Sequence, residues 1–141
     1  MEWLKRAFRR VTGTKGSSSY APFSEPDWEN YDGNPYRVIY ILRMKEGVKK
    51  SELYEFLIGE WLPALKGARG CIGVEIVDDF ASGSGYTLLE LWETRKVHDE
   101  EIPKLWYGTH RHIFDRLKEV GEFVFLWEGI ILREIKGKEV I

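Results

Sequence analysis

Residues 36–44 read YRVIYILRM, and this stretch decides the fold of the chain. Side chains of a β-strand alternate between its two faces, so every second residue shares a face. One face of the predicted strand is wholly apolar and consists of Tyr36, Val38, Tyr40, Leu42 and Met44. The other face carries Ile39 and Ile41 between two arginines, Arg37 and Arg43. The pattern predicts a sheet with helices on its first face and a second face too apolar to remain exposed to water.

The residues that follow this strand predict a helix and then a hairpin. Ser51 has the residue type of an N-cap, and apolar residues recur at helical spacing as far as Leu65. Pro63 is expected to bend or break this helix. Alternating residues over 71–80 and 86–93 flank the sequence SGSG at 82–85, which predicts two antiparallel strands joined by a turn.

A second helix and a last strand complete the predicted domain. Thr109 is expected to cap this helix, with a short helical turn before it and Gly121 at its end. Its apolar stripe consists of Ile113, Phe114, Leu117 and Val120. Residues 123–135 are rich in β-forming residues. The order β-α-β-β-α-β predicts an α+β, ferredoxin-like fold with a four-stranded antiparallel sheet.

The N-terminal part of the chain differs in composition from this domain. Residues 2–11 combine apolar residues at helical spacing with four basic residues, and residues 13–34 are rich in glycine, serine and proline. We therefore divide the chain into an amphipathic basic helix with a flexible linker, 1–34, and the ferredoxin-like domain, 35–141. Such a helix is able to lie on an anionic membrane surface. Its short apolar face favours docking on the domain or on a neighbouring subunit instead.

Composition excludes several classes of function. Residues 1–15 hold five basic residues and one acidic residue, so a net charge of −2 for the chain leaves −6 on the remainder. An acidic body without a stripe of lysine and arginine is not expected to bind nucleic acid. Cys71 is the only cysteine, which excludes an intrachain disulfide and a cysteine metal site.

Two further properties bear on the cell and the source organism. The sequence has neither a long apolar segment nor the pattern of a signal peptide, which predicts a cytoplasmic protein. It contains no glutamine and only two asparagines, a bias that resembles proteins of thermophiles.

Two stretches of the chain resemble antibiotic-biosynthesis-monooxygenase-like proteins. They are WLPALK at 61–66, which leads to GCIG at 70–73, and LELWE at 89–93, which is followed by His110 and Phe114. Proteins similar to these pair two ferredoxin-like sheets face to face into a dimeric α+β barrel. The resemblance therefore implies a homodimer or a higher oligomer.

The same resemblance bears on cofactors. Members of the family that degrade haem use a tryptophan on a strand, a histidine on a helix and an asparagine on the first strand. Trp92 and His110 match the first two residues, but residues 36–44 contain no asparagine. We therefore carry over the fold and the cavity without haem chemistry, and predict no cofactor.

Strand alternation selects the candidate site residues. If Leu89 and Leu91 face the helices, Glu90 and Trp92 face the interior of the barrel. The same alternation places Arg37 and Arg43 of the first strand, and Glu75 of the second, in that interior. We predict a hydrophobic small molecule bound by Trp92, Arg37, Arg43 and Glu75, with Glu90 and His110 as catalytic residues. The alternative is that these charged residues form structural ion pairs between subunits.

The histidines do not predict a metal site. His110 shares the apolar face of the second helix, whereas His112 lies about 200° around it, so the two rings do not point at one ion. His98 precedes three acidic residues and is interpreted as part of a solvated helix start.

Two functions are consistent with this sequence. The first is a small monooxygenase-like enzyme, without a tightly bound organic cofactor, that acts on a hydrophobic small molecule in the cavity. The second is a non-catalytic ligand-binding or assembly module whose interior is filled by side chains. The volume and the polar lining of the cavity distinguish them.

Overall fold

Four antiparallel strands form one sheet in the order β2-β3-β1-β4. The computed structural model describes residues 31–137. Its strands are β1 (Tyr36–Met44), β2 (Cys71–Asp78), β3 (Gly85–Trp92) and β4 (Gly121–Ile130). With helices between β1 and β2 and between β3 and β4, this is the predicted ferredoxin-like α+β fold. The predicted helix at 2–11 and residues 13–30 of the linker lie outside the described residues.

The first helical segment runs from Lys50 to Lys66 and changes its winding on the way. It consists of α1 (Lys50–Phe56), the π-helical turn π1 (Leu57–Trp61) and α2 (Leu62–Lys66). Lys49 occupies the N-cap position, so the expectation that Ser51 caps this helix was wrong. The chain remains helical through Pro63, which lies in the first turn of α2 directly after the π-helical turn.

The second helical segment is longer than the sequence predicts. It consists of α3 (Arg95–Lys104), the π-helical turn π2 (Leu105–Thr109) and α4 (Arg111–Val120). The hydroxyl of Thr94 caps α3 by accepting the backbone N–H of Val97. Thr109 lies inside π2 and His110 occupies the N-cap position of α4, so the predicted cap at Thr109 was wrong.

The helices cover one face of the sheet and form the core with it. Tyr36, Val38, Tyr40 and Leu42 of β1 lie on this face, as the alternation predicts, and each is at most 2% exposed. Leu88, Glu90 and Trp92 of β3 pair with Tyr40, Val38 and Tyr36, so they lie on the same face and are buried. The prediction that Glu90 and Trp92 face away from the helices was therefore wrong.

The opposite face of the sheet is apolar and has no helix over it in the described part of the chain. Its apolar centre consists of Ile39, Ile41, Leu89, Leu91, Phe125 and Trp127. Phe125 and Trp127 are 48% and 45% exposed. We call these six residues the open sheet face.

Gly85 begins β3 at a point where the backbones of β3 and β1 are in close contact. A β-carbon there would overlap the backbone carbonyl of Leu42. We expect Gly85→Ala to lower the free energy of unfolding by about 1–3 kcal/mol or more, measured by urea denaturation. Gly59→Ala is the control, because a β-carbon at Gly59 meets no atom within 4 Å and alanine favours a helix by up to about 1 kcal/mol. Equal stability of the two variants would contradict this packing.

None of the helices within residues 31–137 combines the length and the apolar character needed to cross a membrane.

Candidate functional site

Two buried glutamates flank β1 on the helix-covered face of the sheet. Glu90 of β3 and Glu128 of β4 both pair with Val38 of β1, one from each side. Glu90 is 4% exposed and Glu128 is 8% exposed. Acidic side chains are rarely buried in a protein core without a compensating partner, so the surroundings of these two define the candidate site.

Two hydrogen-bond donors, Trp92 and Tyr40, contact the carboxyl group of Glu90. The indole Nε1 of Trp92 donates to Glu90 Oε1 at 2.9 Å, and the Tyr40 hydroxyl interacts with the same carboxyl group. Trp61 Nε1 in turn donates to Tyr40 Oη at 2.9 Å. Burial raises the pKa of Glu90 above its ordinary value, while the charge of His98 and the hydrogen bonds from Tyr40 and Trp92 partly oppose the rise. A buried carboxyl group with a raised pKa is chemically able to accept a proton from a bound molecule.

A small pocket opens beside Glu90 between the sheet and the helices. It is lined by Val38, Tyr40, Trp61, Glu90, Ile102, Trp106, Phe123 and Leu126. Trp61 and Trp106 stack with their ring centroids 4.0 Å apart and their planes 8° from parallel. About 10 Å³ is open to the centre of a water molecule, so the pocket as it stands holds roughly one water. A ligand larger than water would therefore require lining side chains to move, and the stacked tryptophans are the largest of them.

Each tryptophan of this stack is held by a π-helical turn. Trp61 is the last residue of π1, and Trp106 is the second residue of π2. A π-helical turn inserts one extra residue into a helix, and such turns occur frequently at functional sites. In this protein each of the two π-helical turns supplies one tryptophan that lines the pocket.

His98 joins the two glutamates into one buried cluster. Its ring is 2% exposed and packs against Tyr36 at 5.0 Å and edge-on against Trp92 at 5.3 Å, between ring centroids. Nδ1 lies 2.8 Å from Asp99 Oδ1, and Nε2 lies 3.6 Å from Glu128 Oε1. Burial raises the pKa of Glu128 to about 7, against the opposing effect of His98. The interpretation of His98 as part of a solvated helix start was therefore wrong.

The raised pKa of Glu90 predicts how stability depends on pH. The unfolded chain loses this proton near pH 4.5, whereas the folded chain keeps it to higher pH. Wild type therefore loses stability relative to Glu90→Gln as the pH rises above 4.5. Urea denaturation of both proteins between pH 4.5 and 8, in metal-free buffer, should show a difference that grows with pH in favour of the variant. A difference independent of pH would contradict the burial of an ionisable Glu90.

The structure separates the predicted site residues into three places. Glu90 and Trp92 lie together under the helices, whereas Arg37, Arg43 and Glu75 belong to the opposite side of the sheet. Arg43 is paired there with Glu122, with 2.6 Å between Arg43 Nη2 and Glu122 Oε1.

His110 belongs to neither set. It is half-buried, its Nδ1 lies 2.9 Å from the Thr109 hydroxyl, and its ring is 6.2 Å from that of His112. It does not line the pocket beside Glu90. The set of residues chosen from the sequence is therefore not one site, although its Glu90 and Trp92 are neighbours in space.

The site residues chosen from the sequence include neither His98 nor Glu128. The sequence does contain one pattern that could have identified His98. A helix capped by Thr94 places Val97, His98 and Ile102 on one face, and the structure buries all three. Pro103 and the acidic run 99–101 concealed that helix, because both suggest an exposed or interrupted segment.

Three solved structures illustrate the similarity in fold. Each matches 70–75% of this chain over nearly the whole of its own length. A Bacteroides thetaiotaomicron protein of unknown function, named as a possible oxidoreductase, is 15% identical, with a TM-score of 0.57 over 70% of this chain and 99% of its own. A Chloroflexus aurantiacus protein provisionally named an antibiotic biosynthesis monooxygenase is 14% identical, with a TM-score of 0.56 over 72% and 97%. SnoaB of Streptomyces nogalater, a cofactor-independent oxygenase, is 7% identical, with a TM-score of 0.58 over 75% and 99%.

These similarities concern the fold alone. The sequence matches no protein-family profile and no curated protein. At 7–15% identity, the three structures confirm the expected fold, which the chain shares with monooxygenase-like and uncharacterised proteins. The function has to be argued from the site.

Proposed function

We propose that this chain is a dimeric, monooxygenase-like enzyme that acts on a hydrophobic small molecule bound beside Glu90. The observation that carries the proposal is a buried carboxyl group at the wall of an aromatic pocket, held by Trp92 and Tyr40. The fold adds support, because one structure that shares it is a cofactor-independent oxygenase. The binding site is thereby placed between the sheet and the helices of one subunit, and not between two sheets.

The chemistry assigned to Glu90 is removal of a proton from the substrate. A flat aromatic ketone with an acidic methylene group becomes an electron-rich enolate when it loses that proton, and an enolate can donate electrons to O₂ without a cofactor. The overall reaction converts one methylene group and one O₂ into a carbonyl group and one water. One oxygen atom enters the product, and the other leaves with the two methylene hydrogens.

The surroundings of Glu90 fit this role. Trp92 Nε1 and the Tyr40 hydroxyl hold the carboxyl group in place, so it meets the substrate in one orientation. The aromatic walls exclude water and suit a flat apolar molecule. A base with a raised pKa is also a better match for a weakly acidic substrate than an ordinary carboxylate.

The small size of the pocket favours the second candidate function. A core with room for about one water is what a non-catalytic assembly or ligand-binding module would have. Oxygen uptake in the presence of anthrone, a flat aromatic ketone with an acidic methylene group, distinguishes the two. If the protein is an enzyme, oxygen uptake should require the protein and should depend on Glu90. If it is a non-catalytic module, oxygen uptake should not exceed the slow background rate of anthrone alone.

We place the dimer interface on the open sheet face. Its six apolar side chains form a continuous surface, and pairing with a second copy removes that surface from water. Light scattering of wild type should therefore give twice the 16.5 kDa of one chain at micromolar concentration. A higher oligomer would need a further surface.

One substitution tests this interface. Trp127→Glu places a charge in the apolar contact and should weaken association by about 2–4 kcal/mol, which is roughly 30- to 1000-fold in Kd. Phe80→Glu is the matched control, because Phe80 is 85% exposed and lies outside the sheet. Light scattering should report a monomer for the first variant and a dimer for the second. A dimer of unchanged affinity in Trp127→Glu would place the interface elsewhere.

A further inference from the structure

The buried interior of this protein has an excess of acidic groups. Glu90, Glu128 and His98 are the buried side chains of ionisable acids and bases within residues 31–137, apart from tyrosines. Asp99 adds a third carboxyl group at the surface end of the cluster. A buried carboxylate is costly unless a cation or several hydrogen bonds compensate it. The cluster therefore favours a bound positive charge.

Glu128 is the least compensated member of this cluster. Both of its carboxylate oxygens are inaccessible to solvent, and neither accepts a hydrogen bond from the residues that the structure describes. The Tyr36 hydroxyl lies close enough to oppose part of the rise in the pKa of Glu128, although the two carboxylate oxygens accept no hydrogen bond of ordinary geometry from the described residues. Oε1 of Glu128 points toward Nε2 of His98 at 3.6 Å.

That separation suits two ligands of one metal ion. Zinc lies about 2.0–2.2 Å from imidazole nitrogen and carboxylate oxygen, so two such ligand atoms are about 3.3–3.6 Å apart in tetrahedral geometry and about 2.8–3.1 Å apart in octahedral geometry. The 3.6 Å between His98 Nε2 and Glu128 Oε1 lies at the upper end of the tetrahedral range. The potential ligand atoms of His98, Asp99 and Glu128 all lie within 4.8 Å of one another.

Asp99 contributes through the His98 ring and not as a ligand. An ionised carboxylate only accepts hydrogen bonds, so Nδ1 of His98 is the donor in the 2.8 Å contact with Asp99 Oδ1. In a neutral imidazole with its proton on Nδ1, the lone pair is on Nε2, the atom that faces Glu128. Metal-bound histidines are commonly oriented by a carboxylate on their other nitrogen in this way.

We propose that His98 and Glu128 bind one divalent transition-metal ion per chain, with Asp99 as the residue that orients His98. One nitrogen and one carboxylate ligand suit ions such as Zn²⁺ and Mn²⁺. From the sequence no metal site was predicted, because His110 and His112 were considered as a pair and His98 was interpreted as exposed. It does not depend on the reaction proposed for Glu90, and either proposal can fail alone.

Calorimetric titration of the full chain tests the site. The protein is purified in EDTA, dialysed, and titrated with ZnCl₂ and with MnCl₂ at pH 7.5. We expect one ion per chain for wild type, a loss of at least about 100-fold in affinity for Glu128→Gln and for His98→Gln, and a loss of about 10- to 100-fold for Asp99→Asn.

Two controls separate this site from adventitious binding. Glu122→Gln changes an exposed glutamate on the same strand, and His110→Ala/His112→Ala removes the remaining histidines of the chain. Both should bind the ion as wild type does. Circular dichroism checks that each variant is folded. If Glu128→Gln and His98→Gln do not fold, the affinity of Asp99→Asn, whose substitution is at the surface, tests the site.

Three results would overturn the proposal. The first is an absence of stoichiometric binding of either ion by wild type, which would leave His98 and Glu128 as an ion pair only. The second is unchanged affinity in the folded variants of His98, Asp99 and Glu128. The third is loss of binding in the variant without His110 and His112.

Discussion

Replacing Trp61 with alanine is expected to lower the free energy of unfolding by about 3–5 kcal/mol. Trp61 is 2% exposed, stacks on Trp106, and contacts the rings of Phe114 and Phe123. The substitution leaves a cavity the size of an indole and removes the donor to the Tyr40 hydroxyl. A loss of this size is a large part of the stability of an ordinary domain.

Urea denaturation measures this loss, with Phe80→Ala as the control. Phe80 is 85% exposed, so its removal should change stability by less than about 0.5 kcal/mol. If Trp61→Ala does not fold, Trp61→Phe keeps part of the packing and should still cost about 1–3 kcal/mol. A cost below 1 kcal/mol for Trp61→Ala would mean that the stacked tryptophans are not part of the core.

Replacing Glu90 with glutamine is expected to reduce turnover by about 10²- to 10⁴-fold, the usual contribution of a general base. The amide has nearly the same shape as the carboxyl group and cannot accept the substrate proton. The variant should remain folded and should gain stability relative to wild type as the pH rises above 4.5, because burial raises the pKa of Glu90. Loss of turnover would then be separate from loss of fold.

Oxygen uptake with anthrone measures this turnover, and Glu75→Gln is the control. Glu75 is exposed on the opposite side of the sheet from Glu90, on the face where alternation of side chains had predicted the cavity. Its substitution should leave turnover within about twofold of wild type if the pocket lies under the helices. Equal losses in both variants would reject the assignment of the base to Glu90.

The strands were predictable because their local pattern agrees with their burial. Residues 36–44 have one face without a single charge, and the structure buries that face. Which face of β3 is buried was not predictable in this way, because the sequence GYTLLELW puts large apolar residues on both faces of the strand. Its only acidic residue, Glu90, lies on the buried face, where the usual association of charge with solvent fails.

The candidate site was only partly predictable for a related reason. Glu90 and Trp92 were selected from the sequence, but His98 and Glu128 come from α3 and β4. They come near Glu90 only because β3 and β4 both pair with β1 and α3 packs on the sheet. Register and helix docking are tertiary properties. Local pattern alone could not place these groups within one cluster.

A crystal structure of the protein with bound anthraquinone, the unreactive product of anthrone oxidation, tests the location of the site most directly. The account predicts that the flat rings lie between the sheet and the helices, with Trp61 and Trp106 separated from their present contact of 4.0 Å. One carbonyl oxygen should be within about 3.2 Å of the Glu90 carboxyl group, which donates its proton to it. A bound ligand on the open sheet face, with the tryptophan stack still closed, would contradict the account.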